Sequence, residues 1–220
     1  MKQIKLREDD TLYVLGDVID RHPGGVQILR EIMSMPNAKM LLGNHEYMML
    51  NALAPYDKAD LEAEHDHQKK LRLWYRNGGD ITHHYFKHNR KETQAKIIEY
   101  LKTLPLRYDV EVNGKKYVLV HAAPEEFYES HGRDYKTAKD FAVWKRWDEY
   151  IPSPKGSVMI FGHTPTIQYR FTDKVEIWKM ENVIDIDCGS GFPDGIDPWY
   201  GISGRLACLR LDDMKEFYSE

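Results

Sequence analysis

The sequence has few cysteines, no long apolar run and almost no charge imbalance. Its 220 residues include two cysteines, Cys188 and Cys208, too few for a disulfide framework. No apolar run reaches the roughly 20 residues of a membrane span, and the opening MKQIKLREDD lacks the hydrophobic region of a signal peptide. The formal net charge of −4 gives no electrostatic reason to expect nucleic acid or an anionic membrane as a partner. These absences predict a cytoplasmic protein with reduced thiols and without membrane or nucleic acid partners.

What the chain does contain is enough apolar material for a core. Hydrophobic residues make up 42% of it and aromatic residues 12%, which argues against disorder and favours one domain over residues 1–220. Residues 11–46 show the pattern of a βαβ unit, and residues 47–104 that of a charged helical insertion or cap. From residue 106 the period changes to that of strands, beginning with a hairpin around Asn113-Gly114. The pattern predicts an α/β fold.

Polar clusters follow four apolar runs at similar short offsets. The first run, residues 12–15, ends at Gly16 and is followed by Asp17, Asp20 and Arg21. The same order recurs in LLGNHE (41–46), VLVHAAP (118–124) and VMIFGHTP (158–165). Each run reads as a strand, the first as a buried parallel one. Ligands of open α/β sheets bind at the carboxyl ends of strands, so these clusters would form one site.

The side chains in these clusters suit a divalent metal. Asp17, Asn44, His121 and His163 offer the oxygen and imidazole ligands that hard or borderline metals take. Their shared offset from the strands predicts that each is rigidly held.

Three residues of these clusters predict acid catalysis on a phosphoester. Asp20 can hydrogen-bond and orient His45, which could then act as general acid. Arg21 can fork onto phosphate oxygens. The alternative for Asp20 and Arg21 is an ordinary surface ion pair. A metal, an acid and an arginine together describe metal-assisted hydrolysis of a phosphoester.

The motifs GDVIDR, GNHE, VHA and GHTP, in this order, resemble the signatures of the calcineurin-like metallophosphoesterases. The chain is similar in particular to the bacterial and phage phosphoprotein phosphatases, and WYRNGG (74–79), VWKR (143–146) and IDIDCG (184–189) extend the likeness over nearly its whole length. The resemblance implies an α/β/β/α sandwich, two mixed β-sheets flanked by helices. It also implies metal-activated water, with Mn²⁺ as the expected ion and Fe or Zn as alternatives.

Carried over by position, Asp17 resembles the carboxylate that bridges two metals, and Asn44, His121 and His163 resemble the other ligands of the second metal. His45 resembles the general acid and Asp20 its orienting partner. Arg21 and Arg146 resemble the phosphate clamps, although WKRWDEY around Arg146 also reads as a solvated helix end. The roles of Asp185 and Asp187 stay open between support of the site and an exposed face.

Two departures from the family pattern matter. The family places a strand ending in Asp-x-His-Gly before GDVIDR, and no such motif precedes Asp17. We therefore expect an N-terminally truncated fold that binds one ion rather than two. His22 stands where the pattern has Gly, and its side chain would crowd the backbone near the phosphate.

The expected function is a metal-dependent phosphoester hydrolase, most like a Ser/Thr or Tyr protein phosphatase. Its substrate would be a phosphorylated protein or a small phosphoester. One alternative is a symmetrical dinucleoside tetraphosphate hydrolase, which shares the motifs. The other is a catalytically impaired relative that binds phosphate or protein. The sequence leaves the oligomeric state open.

Overall fold

A computed structural model describes residues 3–148, 150–169, 174–192 and 202–219. The chain divides into two compact units. The helical unit is Thr11–Pro105, and the sheet unit combines Met1–Asp10 with Leu106–Glu220. The single domain predicted over residues 1–220, with its insertion at 47–104, stays a prediction.

The helical unit begins with a short βαβ segment and continues as four helices. Its elements are β1 (Leu12–Val14), α1 (Gly25–Ser34), β2 (Ala38–Met40), α2 (Asn44–Ala52), α3 (Leu61–Arg76), α4 (Gly79–Lys87) and α5 (Lys91–Thr103).

The βαβ prediction for residues 11–46 agrees with the structure. Strands β1 and β2 pair in parallel, with Tyr13 opposite Lys39. The apolar face of α1, which includes Leu29 and Ile32, is buried. β1 itself is half-buried along its length rather than buried, which differs from the predicted buried strand.

Helix α3 is capped by an aspartate, Asp60. Asp60 accepts from the N–H groups of Glu62 and Ala63 at the N-terminus of the helix. Asp57 instead accepts from Ala59 in a local turn. Both are common uses of aspartate, and the sequence does not separate them.

The sheet unit carries the longer strands. Its elements are β3 (Arg107–Val112), β4 (Lys115–Val120), α6 (Tyr128–His131), α7 (Ala138–Trp144), β5 (Val158–Phe161), β6 (Trp178–Met180), β7 (Val183–Asp185), β8 (Ala207–Arg210) and β9 (Lys215–Tyr218).

Five of these strands form a mixed sheet in the order β3-β4-β5-β7-β6. β4, β5 and β7 run parallel in its centre, while β3 and β6 are antiparallel at the edges. β8 and β9 form a separate antiparallel hairpin. The core against the central strands includes Phe141, Met159 and Phe161. The predicted mixed α/β class is confirmed.

Within the described ranges, no helix combines the length and the apolar character that crossing a membrane requires.

Candidate active site

The principal polar pair of the helical unit is Asp20 with His45. Asp20 lies on the loop after β1, and His45 is the second residue of α2. Nδ1 of His45 lies 2.6 Å from Oδ2 of Asp20, and only 2% and 0% of the two side chains are exposed. Asp20 therefore lies in the interior, bound to a histidine, and not in a surface ion pair.

Arg21 contacts the opposite nitrogen of the same imidazole. Its Nη2 lies 2.8 Å from Nε2 of His45. A guanidinium only donates hydrogen bonds, so Nε2 must accept here and the proton must sit on Nδ1, facing Asp20. In this arrangement His45 is neutral, with its tautomer fixed from both sides.

The charges around His45 raise its pKa above the ordinary value. Burial, the largest single influence, lowers the pKa, and the positive charge of Arg21 lowers it further. The charge of Asp17, the hydrogen bond that His45 donates to Asp20 and the charge of Asp20 together raise the pKa by more than burial and Arg21 lower it. The surrounding charges therefore favour the protonated imidazole. The contact with Arg21 opposes protonation, because it requires Nε2 to accept a hydrogen bond.

The loop that carries these groups has an unusual backbone. Asp17, Asp20 and Arg21 have φ values of 56°, 77° and 64°, in the left-handed region that side chains rarely enter. Each such residue typically stores about 1–3 kcal/mol of strain, and such residues concentrate at functional sites. Surrounding contacts must therefore impose this conformation.

Glu46 supplies several of these contacts, and the sequence interpretation missed it. Its fully buried carboxylate accepts from the N–H groups of Asp17 at 2.8 Å, Val18 at 2.8 Å and Gly43 at 3.2 Å. The N–H of His45 in turn donates to Oδ1 of Asp17 at 3.1 Å. The sequence signal that could have identified Glu46 was its position in the first turn of a helix that begins inside GNHE.

Gly43 allows the carboxylates of Asp17 and Glu46 to lie close to the start of α2. A Cβ at Gly43 would lie 2.3 Å from Oδ1 of Asp17 and 2.6 Å from Oε2 of Glu46. Any other residue would push the two carboxylates away from the start of α2.

Two further partners of Asp20 come from distant helices. Trp74 donates from Nε1 to Oδ1 and Oδ2 of Asp20, at 3.1 and 3.0 Å. The N–H of Asp20 donates to Oγ1 of Thr82 at 2.7 Å. Both partners are buried. WYRNGG was a signal for Trp74, but no local pattern pointed to Thr82.

His22, the second departure from the family pattern, lies at the exposed start of the turn into α1. Its N–H donates to the carbonyl of Asp20 at 2.7 Å.

In the sheet unit, His121 and His163 follow the neighbouring parallel strands β4 and β5. Their ring centroids lie 5.1 Å apart. Nε2 of His163 lies 3.2 Å from the carbonyl oxygen of Trp144, the last residue of α7. This bond places the proton on Nε2 and makes Nδ1 the lone-pair nitrogen, as in histidines that bind metals.

Arg146 lies two residues beyond Trp144. Its Nη1 donates to Oγ1 of Thr164 at 3.2 Å, and Thr164 directly follows His163 in GHTP. The two contacts join the segment after α7 to the loop that carries His163. Arg146 is exposed, but this bond distinguishes it from a purely solvated helix end.

The predicted metal ligands have suitable chemistry in each unit. The helical unit supplies the Asp17 carboxylate and Asn44, the first residue of α2, and the sheet unit supplies His121 and His163. Carboxylate, amide and imidazole groups are all donor types that borderline divalent ions such as Mn²⁺, Fe²⁺ or Zn²⁺ accept. Within the sheet unit, the tautomer of His163 leaves Nδ1 as the nitrogen that could bind a metal.

The two aspartates left open by the sequence have different surroundings. Asp185, at the end of β7, is fully buried, and its Oδ2 has no hydrogen-bond partner in the described part of the chain. Burial, with Asp187 nearby, raises its pKa well above the ordinary value. Asp187 is half-buried and accepts from the N–H of Gly189 at 2.8 Å. Neither lies on an exposed face.

Comparisons with known proteins agree with these features. The serine/threonine-protein phosphatase 2 of Salmonella typhimurium is 29% identical over 192 residues, which cover 83% of this chain and 76% of that protein. A symmetrical bis(5'-nucleosyl)-tetraphosphatase of Salmonella paratyphi B is 36% identical over 56 residues, 24% of this chain and 20% of that protein. The crystal structure of a metallophosphoesterase from Sphaerobacter thermophilus covers 100% of this chain and 81% of that one, with a TM-score of 0.54 and 16% identity.

The structural likeness confirms the fold class, and the phosphatase match confirms the resemblance drawn from the motifs. The calcineurin-like phosphoesterase family model matches residues 1–182, which include all four motifs. The chain therefore belongs to the calcineurin-like phosphoesterases, a family of metal-dependent phosphoester hydrolases.

Proposed function

We propose that this chain hydrolyses phosphomonoesters of serine and threonine, or of tyrosine, in proteins. The observation that carries the proposal is the buried Asp20–His45 pair with Arg21 on the second imidazole nitrogen. The likeness to a serine/threonine-protein phosphatase over 83% of the chain supports this substrate class.

In this proposal Arg21 binds the phosphoryl group. A dianionic phosphate attracts a guanidinium more strongly than a neutral imidazole does, because charge-assisted hydrogen bonds are the stronger ones. Substrate binding would draw Arg21 away from Nε2 of His45. Arg146 is proposed as a second clamp.

His45 then acts as the general acid. Once Arg21 leaves Nε2, that nitrogen can hold a proton, which the charges of Asp17 and Asp20 favour. As the water oxygen bonds to phosphorus and the ester bond breaks, Nε2 gives its proton to the leaving serine oxygen. Asp20 keeps Nδ1 protonated and holds the ring.

We propose Asp17, Asn44, His121 and His163 as the ligands of one divalent ion, with Mn²⁺ expected from the resemblance. When bound, the ion would polarise the phosphoryl oxygen and make a water molecule more acidic. We propose one ion rather than two, since these four donor side chains suffice for one ion. The cytoplasmic location and the lack of nucleic acid or membrane partners stay predictions.

A second candidate function is hydrolysis of dinucleoside tetraphosphates. The observation that favours it is the local 36% identity to a symmetrical bis(5'-nucleosyl)-tetraphosphatase. That match covers 20% of the enzyme's length, so it supports shared chemistry more than a shared substrate.

The test compares wild type, His45→Asn and the matched control His65→Asn, an exposed histidine on α3. Each is loaded with Mn²⁺ and assayed on a phosphoserine peptide and on diadenosine tetraphosphate, and bound metal is measured by elemental analysis. We expect His45→Asn to lower kcat on the peptide roughly 10²–10⁴-fold, the usual contribution of a general acid. Its metal content should equal that of the control.

Faster hydrolysis of the tetraphosphate than of the peptide would favour the second candidate. Loss of metal in His45→Asn with unchanged residual turnover would make His45 a ligand instead of the acid. No hydrolysis of either substrate by wild type would leave a relative that binds phosphate or protein without catalysis.

A further inference from the structure

The carboxylate of Asp20 is held by more than His45. Nε1 of Trp74 shares its hydrogen between both oxygens. An indole N–H only donates, so the carboxylate accepts from Trp74 and His45 together. The two donors fix the rotation of the carboxylate, and with it the plane in which His45 is held.

The backbone of the same loop is anchored to the same helices. The N–H of Asp20 donates to Thr82 on α4, and the N–H of Arg21 donates to the carbonyl oxygen of Gly78 at 3.0 Å. Both anchored residues have left-handed backbones. These two bonds therefore counter the local preference of the loop and set the directions of the Asp20 and Arg21 side chains.

Residues 74–79 (WYRNGG) connect α3 to α4 and are called the α3–α4 corner below. The two glycines make this corner possible. Gly78 has a φ of 89°, and a Cβ there would lie 2.9 Å from the nitrogen of Arg21. A Cβ at Gly79 would lie 2.2 Å from the indole of Trp74. The first glycine admits the Arg21 backbone, and the second admits the Trp74 ring.

We propose that Trp74 and Thr82 are positioning residues for catalysis, and that the α3–α4 corner orients the general acid and the phosphate clamp relative to each other. The inference rests on the proposed function of His45 and Arg21. Under this inference, residues 74–82 do more than cover the site, because they also hold the catalytic groups in place.

The diagnostic measurement is the dependence of kcat on the leaving group. The nitrophenolate released from p-nitrophenyl phosphate needs little protonation, whereas the alkoxide released from phosphoserine needs a general acid. A misdirected acid slows the serine ester selectively, whereas general destabilisation lowers the active fraction and slows both esters equally.

Four variants complete the design. Trp74→Phe removes the N–H but keeps an aromatic ring. Thr82→Val removes the hydroxyl with little change of shape, and Thr82→Ser restores it. Trp147→Phe is the matched control, a buried tryptophan whose Nε1 donates to the carbonyl of Ile151 in the sheet unit.

We expect Trp74→Phe and Thr82→Val to lower kcat on the phosphoserine peptide about 10-fold more than on p-nitrophenyl phosphate, a fraction of the full effect of a general acid. KM should change less than about twofold, since neither side chain is placed against the substrate. Thr82→Ser should restore the wild-type ratio, and Trp147→Phe should affect both substrates equally.

Equal losses on both substrates in Trp74→Phe and Thr82→Val would overturn the inference, provided that His45→Asn shows the selective loss. If wild type is active but His45→Asn shows no selectivity, the acid assignment fails and this inference fails with it. If wild type hydrolyses neither ester, the proposed function itself is wrong.

Discussion

Replacing Glu46 by Gln tests whether this side chain, in the first turn of α2, holds the loop that carries Asp17 in its conformation. The carboxylate accepts from three backbone N–H groups, two through Oε2 and one through Oε1. A carboxamide has one accepting oxygen. In its better orientation it keeps the bonds from Asp17 and Gly43 and turns its NH₂ group toward the N–H of Val18.

The magnitude follows from these contacts. One buried N–H left without an acceptor costs about 1–3 kcal/mol, and two charge-assisted bonds that become neutral lose roughly 1 kcal/mol each. The substitution also removes a buried charge whose pKa is raised by burial and by Asp17, which offsets part of the loss. We expect a net decrease of about 2 kcal/mol in the free energy of unfolding.

Urea unfolding followed by tryptophan fluorescence measures this difference. A loss of this size corresponds to a midpoint shift of roughly 1 M for typical slopes. The matched control is Glu62→Gln, an exposed glutamate in the first turn of α3. If Glu46→Gln unfolds at the same urea concentration as Glu62→Gln, Glu46 does not hold the loop.

Arg21→Lys is expected to raise KM and lower kcat on a phosphoserine peptide, because an ammonium group cannot make a bidentate fork; wild-type kinetic constants would contradict the clamp role. Asp185→Asn should remove a pH dependence of stability. A buried acid with a raised pKa binds its proton more tightly in the folded state, so wild type should lose stability above about pH 4 relative to the variant. Urea midpoints at about pH 5 and about pH 8 measure this, with exposed Asp134→Asn as control, and parallel midpoints in all three proteins would count against it.

Local sequence patterns were sufficient for the residues that follow strands. A strand that ends at a glycine, followed by two carboxylates, pointed to Asp17 and Asp20, and adjacency to Asn44 pointed to His45. The structure shows the Asp20–His45 bond, and the catalytic roles stay predictions. These residues could be predicted because the pattern that forms each strand also fixes where its polar end lies.

The residues that hold the site in place could not be predicted from local sequence in the same way. Trp74 and Thr82 lie 54 and 62 residues from Asp20, and their contacts depend on how α3 and α4 pack. Local propensity carries no information on such pairs. Glu46 was missed for another reason, because first-turn glutamates are common on exposed helices and only the structure shows this one to be buried.

The contact between Trp74 and Asp20 also bears on protein engineering. Residues 47–104, predicted as a helical insertion, would be a natural segment to exchange in order to change substrate preference. A graft that replaces α3 and α4 would remove the indole and the hydroxyl that hold Asp20, and with them the orientation of His45. Exchange between relatives should therefore keep the tryptophan, both glycines and the threonine as a fixed frame, and vary only the outer faces of the helices.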